Sequence, residues 1–270
     1  KHGRGEELIR KHVEKYIVSL RSSRNDDWAY SIYYSQLSQA YGIGLAIEAQ
    51  RAAKPHSMGS LYWQLNDAWP VISWSSIDYY GNKKALHWKL RDLYSPILIG
   101  VLPTTDGNFK VYANGDLYRE INADLVLNFK NFDGKILKSY SENILIPENG
   151  CKTLQLDVNK FVSGIDKDKV YIEMQLVEND EVIANRLQYL VYPKDLKLKN
   201  IDLQPKIEIE NGIGTITFVS PTLVKDVCIT LTEGCCELSD NFFDLEPNKG
   251  RIVTFKTKTD NLPIQIITLN

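Results

Sequence analysis

The first third of the chain places apolar residues at three- and four-residue intervals, which is the spacing of amphipathic helices. Between residues 6 and 20 this spacing predicts a helix with one apolar face. The positions of that face are Leu8, Ile9, His12, Val13, Tyr16, Ile17 and Leu20. A longer helix is predicted over 28–53, because the polar residues 25–27 offer N-cap oxygens before it and Pro55 stops it.

A short apolar run and a further helix follow Pro55. Residues 58–65, MGSLYWQL, have the length and composition of a buried strand. After a loop, the helical spacing of residues 83–94 predicts a helix that ends before Pro96. A single strand cannot satisfy its own backbone groups. We therefore expect this helical segment to be one part of a larger α/β structure.

The pattern then changes to alternation of apolar and polar residues. From 98 to 192 such runs are separated by turn signals at Asp133-Gly134 and Asn179-Asp180, which predicts antiparallel strands. Residues 193–270 repeat the style in a shorter stretch. Short strands at this spacing favour immunoglobulin-like sandwiches. The sequence thus predicts three domains, over 1–97, 98–192 and 193–270.

Aromatic usage supports the same division. All five Trp and nine of the fifteen Tyr precede residue 97, whereas all eight Phe follow it. Tyr192 is the last Tyr, and the charged stretch that begins at Pro193 is typical of an interdomain connection.

Charge and composition argue against nucleic acid and membrane as partners. The formal net charge is -2, and the lysines near residues 194–199 and 256–258 are interspersed with acids, which is typical of a solvated face. The apolar runs are far shorter than the roughly 18 residues of a membrane span. Because the chain starts KHGRGEEL, we expect it to begin inside a longer protein. Its compartment stays open, and an upstream signal would make it periplasmic, secreted or lysosomal.

Neither a metal nor a cofactor is expected. The four cysteines form no CxxC pair, the four histidines are scattered, and no glycine-rich phosphate loop or GxSxG motif is present. Cys228 and Cys235 are candidates to face each other across a hairpin, which leaves the disulfide state of Cys228, Cys235 and Cys236 open, although we expect free thiols.

The stretch after the predicted strand is dense in side chains that suit a sugar. Within sixteen positions it carries Trp63, Gln64, Asn66, Asp67, Trp69, Trp74 and Asp78. Tryptophan stacks on the apolar face of a sugar ring, and amide or carboxylate groups pair with its hydroxyls, so this composition is typical of a carbohydrate pocket. The alternative from composition alone is the Trp-rich core of an α/β layer.

Residues 59–90, GSLYWQLNDAWPVISWSSIDYYGNKKALHWKL, closely resemble the end of the catalytic barrel in family 2 β-mannosidases. Residues 239–255, SDNFFDLEPNKGRIVTF, more loosely resemble the last domain of that family. The resemblance implies the terminal fragment of a (β/α)8 barrel followed by two immunoglobulin-like sandwiches. It also implies retaining hydrolysis of terminal β-mannosides in a mannose-containing oligosaccharide, without a cofactor.

By the same resemblance, Trp63 corresponds to the tryptophan that floors the subsite for the reacting mannose, at the end of the eighth barrel strand. Asn66 and Asp67 follow it, and we assign them to the rim of that subsite or to the layer behind it. Further loop residues receive structural roles, with packing expected for Trp69 and Trp74 and loop ordering for Asp78.

The two catalytic glutamates of the family lie in motifs that this chain does not contain. The glutamates of its first domain lie in helical patterns, namely Glu6, Glu7, Glu14 and Glu48. We therefore predict no catalytic residue and no activity for the chain alone. An incomplete barrel would expose strand edges and apolar helix faces, so we also expect self-association through residues 1–97.

Two other functions stay open. The terminal sandwich is a candidate glycan- or partner-binding module through Phe242 and Phe243, although the absence of Trp and Tyr after Tyr192 counts against it. The second alternative is that the parent enzyme is a family 2 β-glycosidase that acts on another sugar, such as a β-galactosidase or a β-glucuronidase.

Overall fold

Helices dominate the first part of the chain and antiparallel strands the rest. The computed structural model describes residues 4–19, 27–104, 108–231, 237–259 and 262–270. These residues form two compact units, both discontinuous along the chain. Unit 1 comprises Lys1–Tyr41, Trp63–Lys89 and Pro193–Asn270, and unit 2 comprises Gly42–Tyr62 and Leu90–Tyr192. The predicted limits of the three domains stay a prediction.

The first predicted helix has two parts. Helix α1 spans Gly5–His12, and a turn of π-helix follows at Val13–Ile17. Val13 and Ile17 are buried, but no residue of α1 is, because its apolar side chains Leu8 and Ile9 face solvent. The expected apolar face is therefore used only in its last turn. Its final position, Leu20, lies outside the described residues.

The two later helices lie where the spacing predicts them. Helix α2 spans Trp28–Ala52, and its start is capped by Asp27, whose Oδ1 accepts the amide of Ala29 at 2.8 Å. The other capping candidates, 25 and 26, lie outside the described residues. Helix α3 spans Ala85–Leu93.

The prediction of a buried strand at 58–65 is wrong. Leu61, Trp63 and Leu65 are exposed, and no strand forms there. Within the described ranges, this part of the chain makes only isolated bridges, at Asn66 with Ile77 and at Ile77 with Lys83. A strand needs a neighbour to pair its backbone groups, and the sequence pattern predicted the strand without supplying that neighbour.

Unit 2 contains the first sandwich, and its immunoglobulin-like class is as predicted. The elements are β1 (Ile97–Pro103), β2 (Phe109–Gly115), β3 (Ile121–Asn131), β4 (Ile136–Ile146), β5 (Cys151–Leu156), the short α4 (Val158–Phe161), a 3-10 turn (Lys167–Lys169), β6 (Val170–Glu178) and β7 (Glu181–Tyr189). Antiparallel sheets of order β1-β2-β5 and β4-β3-β6-β7 enclose the core. Leu125, Leu127 and Phe129 alternate along β3 toward it, as period-2 patterning requires.

Unit 1 contains the second, smaller sandwich. Its elements are a 3-10 turn (Pro193–Asp195), β8 (Lys206–Glu210), β9 (Ile213–Phe218), β10 (Val224–Leu231), β11 (Phe243–Leu245), β12 (Arg251–Lys256) and β13 (Ile264–Ile267). The sheets have the order β12-β9-β8 and β11-β10-β13. Ile216, Phe218 and Val253 are fully buried in its core. The second predicted sandwich is therefore also present.

Within unit 2, buried charges attach the last turns of α2 to the sandwich. Glu48 accepts from Arg186 of β7 and from the hydroxyl of Tyr112, whose pKa is raised mainly by burial. Arg186 also donates to the carbonyl of Ile99 at 3.1 Å. We call these residues, together with Arg51, the helix clamp.

Arg51 lies one helical turn after Glu48 and ends on a different part of the sandwich. Its guanidinium donates to Asn114 at 2.6 Å, to Asp116 at 2.7 Å and to the carbonyl of Ser95 at 2.7 Å. A guanidinium with several fixed acceptors is well suited to burial. The C-terminal part of α2 thus forms part of the same folded unit as the strands.

Candidate functional site

Residues 63–84 form a loop that is closed at its base by backbone hydrogen bonds; we call it the tryptophan loop. The amide of Ser76 donates to the carbonyls of Gln64 at 3.0 Å and Leu65 at 3.1 Å. Ile77 donates to Leu65 at 2.8 Å, and Asp67 donates to Ile77 at 3.1 Å. The outgoing and returning arms of the loop are therefore joined directly after Trp63.

A buried carboxylate organises the inside of this loop. Asp67 accepts hydroxyl hydrogen bonds of 2.6 Å from Ser73 and from Ser75, one on each oxygen. Lys84 lies 3.4 Å from the Asp67 carboxylate and donates to Ser75 at 2.8 Å. Burial would raise the pKa of Asp67, but these hydroxyls and the Lys84 charge outweigh it and hold the pKa below its ordinary value.

Trp63, which the sequence assigned to the sugar, is largely accessible to solvent. Its side chain is 73% exposed at the start of the loop. Asn66 is also exposed, and its amide donates to the carbonyl of Asp67 at 3.2 Å. Asp67 itself is buried, with a side chain only 4% exposed. The structure thus separates one exposed ring and one exposed amide from a carboxylate that faces inward.

Gln64 connects Trp63 with the tip of the loop. Its side-chain nitrogen donates to the carbonyl of Asn66 at 2.8 Å, and its oxygen accepts from the indole of Trp74 at 3.3 Å. The carbonyl of Trp74 accepts in turn from Gln39 of α2 at 2.7 Å. Both sides of the Gln64 side chain are therefore used to hold the loop.

The expected packing roles of Trp69 and Trp74 are wrong for the chain as it stands. Their side chains are 66% and 58% exposed. The sequence pattern predicts packing only if other residues cover the rings, and the described residues do not cover them.

The expected loop-ordering role of Asp78 is confirmed. Its Oδ1 accepts the amides of Tyr80 at 2.9 Å and Asn82 at 2.8 Å, and its Oδ2 accepts the Asn82 side chain at 2.9 Å. Gly81 supports this turn with a φ of 87°, a conformation that favours glycine.

Sequence reasoning missed Ser73, Ser75 and Lys84. The run SWSS and the lysines before α3 were the available signals, but each is common on protein surfaces. Only the fold shows that these side chains converge on Asp67. The loop therefore has an internal polar core that no single motif reveals.

The four glutamates of the first predicted domain lie in two different environments. Glu6, Glu7 and Glu14 are exposed on the first helical stretch, and Glu48 is buried in the helix clamp. No group of three metal-ligating side chains occurs in the ranges that the structure describes. Within those same ranges, no helix has the length and apolar character to cross a membrane.

The aromatic pair considered for a separate binding function is used for packing. Phe243 is buried and lies edge-on to Phe218, with ring centroids 5.6 Å apart. Phe242 stacks on Tyr33 of α2, with centroids 6.3 Å apart and an interplanar angle of 17°. Neither ring is left as an open platform for a sugar. Cys228 is a buried free thiol, and Cys235 and Cys236 lie outside the described residues.

Comparison with known proteins identifies the family of the chain. A Mannosidase Ig/CBM-like domain matches residues 107–195, and an Ig-fold domain of mannosidases matches residues 198–268, together more than half of the chain. The crystal structure of β-D-mannosidase from Dictyoglomus thermophilum superposes on 97% of the chain with a TM-score of 0.78 and 25% identity. The chain belongs to the family 2 β-mannosidases, as part of their C-terminal region.

Curated β-mannosidases agree with this placement. β-Mannosidase A of Aspergillus terreus is 27% identical over 78% of the chain, and β-mannosidase B of Aspergillus clavatus is 26% identical over 91% of it. An exo-chitosanase of Amycolatopsis orientalis shares the fold, with a TM-score of 0.69 at 16% identity over 98% of the chain. The chain spans 25% and 31% of the two Aspergillus β-mannosidases, 32% of the Dictyoglomus β-mannosidase and 36% of the exo-chitosanase.

Proposed function

We propose that the chain is the C-terminal portion of a retaining β-mannosidase that hydrolyses terminal β-D-mannosides. The observation that carries this proposal is the exposed ring of Trp63, held at the base of a closed loop in a chain whose relatives are named β-mannosidases. An exposed indole with a fixed backbone presents the apolar face on which a sugar ring stacks. Trp63 then forms one wall of the pocket for the reacting mannose.

The neighbouring residues take graded roles in this proposal. Asn66 lies at the rim, where its exposed amide is available to a sugar hydroxyl. Asp67 belongs to the layer behind the pocket, since both of its oxygens are already bonded. Residues 1–97 supply the end of a (β/α)8 barrel whose other strands come from the rest of the enzyme, and the domains 98–192 and 193–270 follow it along the chain.

The chain alone is proposed to be inactive. A retaining glycosidase needs an acid and a nucleophilic carboxylate about 5 Å apart, flanking the glycosidic bond. The matching motifs for both glutamates are absent from this sequence, and Trp63 offers binding without acid or base chemistry. Hydrolysis therefore requires residues outside this chain.

Hydrolysis of nitrophenyl β-mannoside by the chain and by the full-length protein that contains it tests the proposal. We expect activity only in the full-length protein. There, Trp63→Ala lowers kcat/KM by about 10- to 100-fold, the range expected when a substrate loses correct placement. Tyr118→Ala is the control, because it removes an exposed aromatic ring in the sandwich of unit 2, and it leaves kcat/KM unaltered. Phe132 of the same sandwich is buried and is therefore unsuitable as a control.

Two results would overturn the proposal. One is hydrolysis by the purified chain that disappears when its own carboxylates are changed. The other is faster cleavage of a β-galactoside, β-glucuronide or β-glucosaminide than of the β-mannoside by the full-length protein, which would assign it to another sugar. The panel is needed because the exo-chitosanase shares the fold.

A further inference from the structure

We propose that Asp67 is a positioning residue that acts on the sugar through Trp63, with Ser75 and Lys84 as its partners. This inference rests on the proposed function, because it concerns the ring that stacks on the substrate. It assigns to the buried cluster a role in setting the orientation of an exposed ring, and it is distinct from direct binding of the sugar by Asp67.

Direct contact of Asp67 with a substrate is excluded by its surroundings. The side chain is 4% exposed, and its two oxygens accept from Ser73 and Ser75 at 2.6 Å each. Lys84, with a side chain that is also largely buried, lies 3.4 Å from one of these oxygens. A carboxylate with so little exposed surface, and with three donors around it inside the protein, is not open to a sugar hydroxyl.

A continuous path of hydrogen bonds leads from this cluster to the residue that follows Trp63. Ser75 bonds to Asp67, and the next residue, Ser76, donates its amide to the carbonyl of Gln64 at 3.0 Å. The hydroxyl of Ser76 also donates to the carbonyl of Leu65 at 3.0 Å. The backbone next to Trp63 is thus held by the arm of the loop that Asp67 fixes.

Lys84 ties the same cluster to α3. Its amide donates to the carbonyl of Ser76 at 2.9 Å, while its ammonium donates to the Ser75 hydroxyl at 2.8 Å. Lys84 directly precedes the first residue of α3. The cluster therefore anchors the returning arm to a regular element, which makes the position of the loop base reproducible.

This arrangement predicts how the pair Asp67 and Trp63 responds to substitution in the full-length enzyme. Asp67→Asn removes the counter-charge of Lys84 and weakens the hold on the loop base. We expect kcat/KM for nitrophenyl β-mannoside to fall by about 10- to 100-fold, because misplacement of about 1 Å costs that much. The loss divides between kcat and KM as it does for Trp63→Phe.

A double-mutant cycle distinguishes positioning from a general structural effect. If Asp67 acts through Trp63, the variant with both Asp67→Asn and Trp63→Phe is no slower than Trp63→Phe alone. Asp78→Asn is the matched control, since it makes the same change in the same loop at a carboxylate that holds only the turn at 78–82. It leaves kcat/KM unaltered. Additive losses from Asp67→Asn and Trp63→Phe would overturn the inference.

Fluorine NMR of this chain labelled with fluorotryptophan gives a readout without activity. The Trp63 resonance is assigned by its loss in Trp63→Phe, and we expect it to shift or broaden in Asp67→Asn but not in Asp78→Asn. If Asp67→Asn does not fold, Ser75→Ala, which keeps the charge pair, replaces it. An unchanged Trp63 resonance overturns the inference. A full-length enzyme that does not cleave β-mannosides, together with a shifted resonance, overturns only the proposed function.

Discussion

Trp63 and Asp67 lie four positions apart in one motif, yet their surroundings are opposite. The indole of Trp63 is largely exposed, whereas the Asp67 carboxylate is enclosed by Ser73, Ser75 and Lys84. Burial of a charge is costly unless it is paired and hydrogen-bonded, and Asp67 satisfies both conditions. At the scale of single residues, solvent access is therefore the basis for proposing that Trp63 contacts the substrate and that Asp67 supports Trp63.

The pKa of Asp67 predicts a pH-dependent contribution to stability. A carboxyl whose pKa is lower in the folded protein than its ordinary 3.8 stabilises the fold above that value. This stabilisation is lost as the pH falls through the lowered pKa. We expect Asp67→Asn to reduce the free energy of unfolding at pH 6 by about 1–3 kcal/mol, the cost of disrupting a buried hydrogen-bonded group.

Denaturant unfolding of Asp67→Asn and the unsubstituted chain at several pH values measures this effect. The difference between the two proteins narrows when the pH falls below 3.8. Asp78→Asn serves again as the control, because Asp78 lies in an exposed turn. A difference that widens with acid would contradict the assignment of Asp67 as a charged, paired group.

Sequence reasoning predicted the residues whose role is local and missed those whose role depends on the fold. Asp78 is an example of the first kind, because its acceptors bond to residues two and four positions later. Lys84 is an example of the second, since it meets Asp67 only when the loop closes. Trp63 was selected through family resemblance, and its sugar contact stays a prediction.

At the scale of elements, the helix clamp shows how one helix is fixed to a sheet by charge. Glu48 and Arg186 are both largely buried, and each has further hydrogen-bond partners. Removing one partner of such a pair destabilises the fold by more than the net contribution of the pair, because the remaining charge stays buried. The clamp thus makes the attachment of α2 specific to these positions.

Removing one partner of the clamp is therefore strongly destabilising. We expect Arg186→Met to lower the free energy of unfolding by about 3–5 kcal/mol, since it leaves Glu48 buried without its counter-charge. Adding Glu48→Gln to Arg186→Met restores part of the loss. Lys11→Met, which breaks the exposed pair of Lys11 with Glu7, is the control and changes stability by less than about 1 kcal/mol. Equal effects of Arg186→Met and Lys11→Met in thermal unfolding would disprove the clamp.

Two glycines give opposite predictions. A Cβ at Gly100 of β1 would lie 2.5 Å from the Tyr112 hydroxyl oxygen and 2.7 Å from its ring, so Gly100→Ala destabilises by about 1–3 kcal/mol. A Cβ at Gly42 of α2 meets nothing within 4 Å, so Gly42→Ala stabilises the helix by about 1 kcal/mol. Thermal unfolding of both variants measures the two signs. The same sign for both would show that these local environments do not control stability.

The strands of the two sandwiches were predictable because alternation along a strand reports burial on one face. Leu125, Leu127 and Phe129 illustrate this in β3. The apolar run at 58–65 was predicted as a strand from its length and composition instead, and it forms no strand because a strand also requires a paired neighbour. Local pattern therefore predicts an element only where its partners are present in the same chain.

At the scale of the whole molecule, many large apolar side chains of the tryptophan loop face solvent. They include Trp63, Leu65, Trp69, Val71, Ile72, Trp74, Tyr79 and Tyr80. Exposed apolar surface of this extent is characteristic of an interaction site. In the proposed function the rest of the barrel covers it.

The isolated chain is accordingly expected to self-associate. Sedimentation velocity at increasing protein concentration measures this, and we expect the average mass to rise. Ile72→Asp reduces the association, because it places a charge among the exposed apolar side chains of the loop. Ile252→Asp, at an exposed position on β12, is the matched control and has little effect. A monodisperse monomer at every concentration would contradict the prediction.

The discontinuity of unit 2 also limits how this sandwich can be exchanged between proteins. A graft that begins at β1 would carry Arg186 and Asp116 into a new host without Glu48 and Arg51, which precede that cut. Recombination of related enzymes at the start of β1 would therefore place the buried charges of the sandwich against a helix from another protein, which does not carry the matching charges. A transferable cassette has to begin before Gly42, where the helical part of the unit starts.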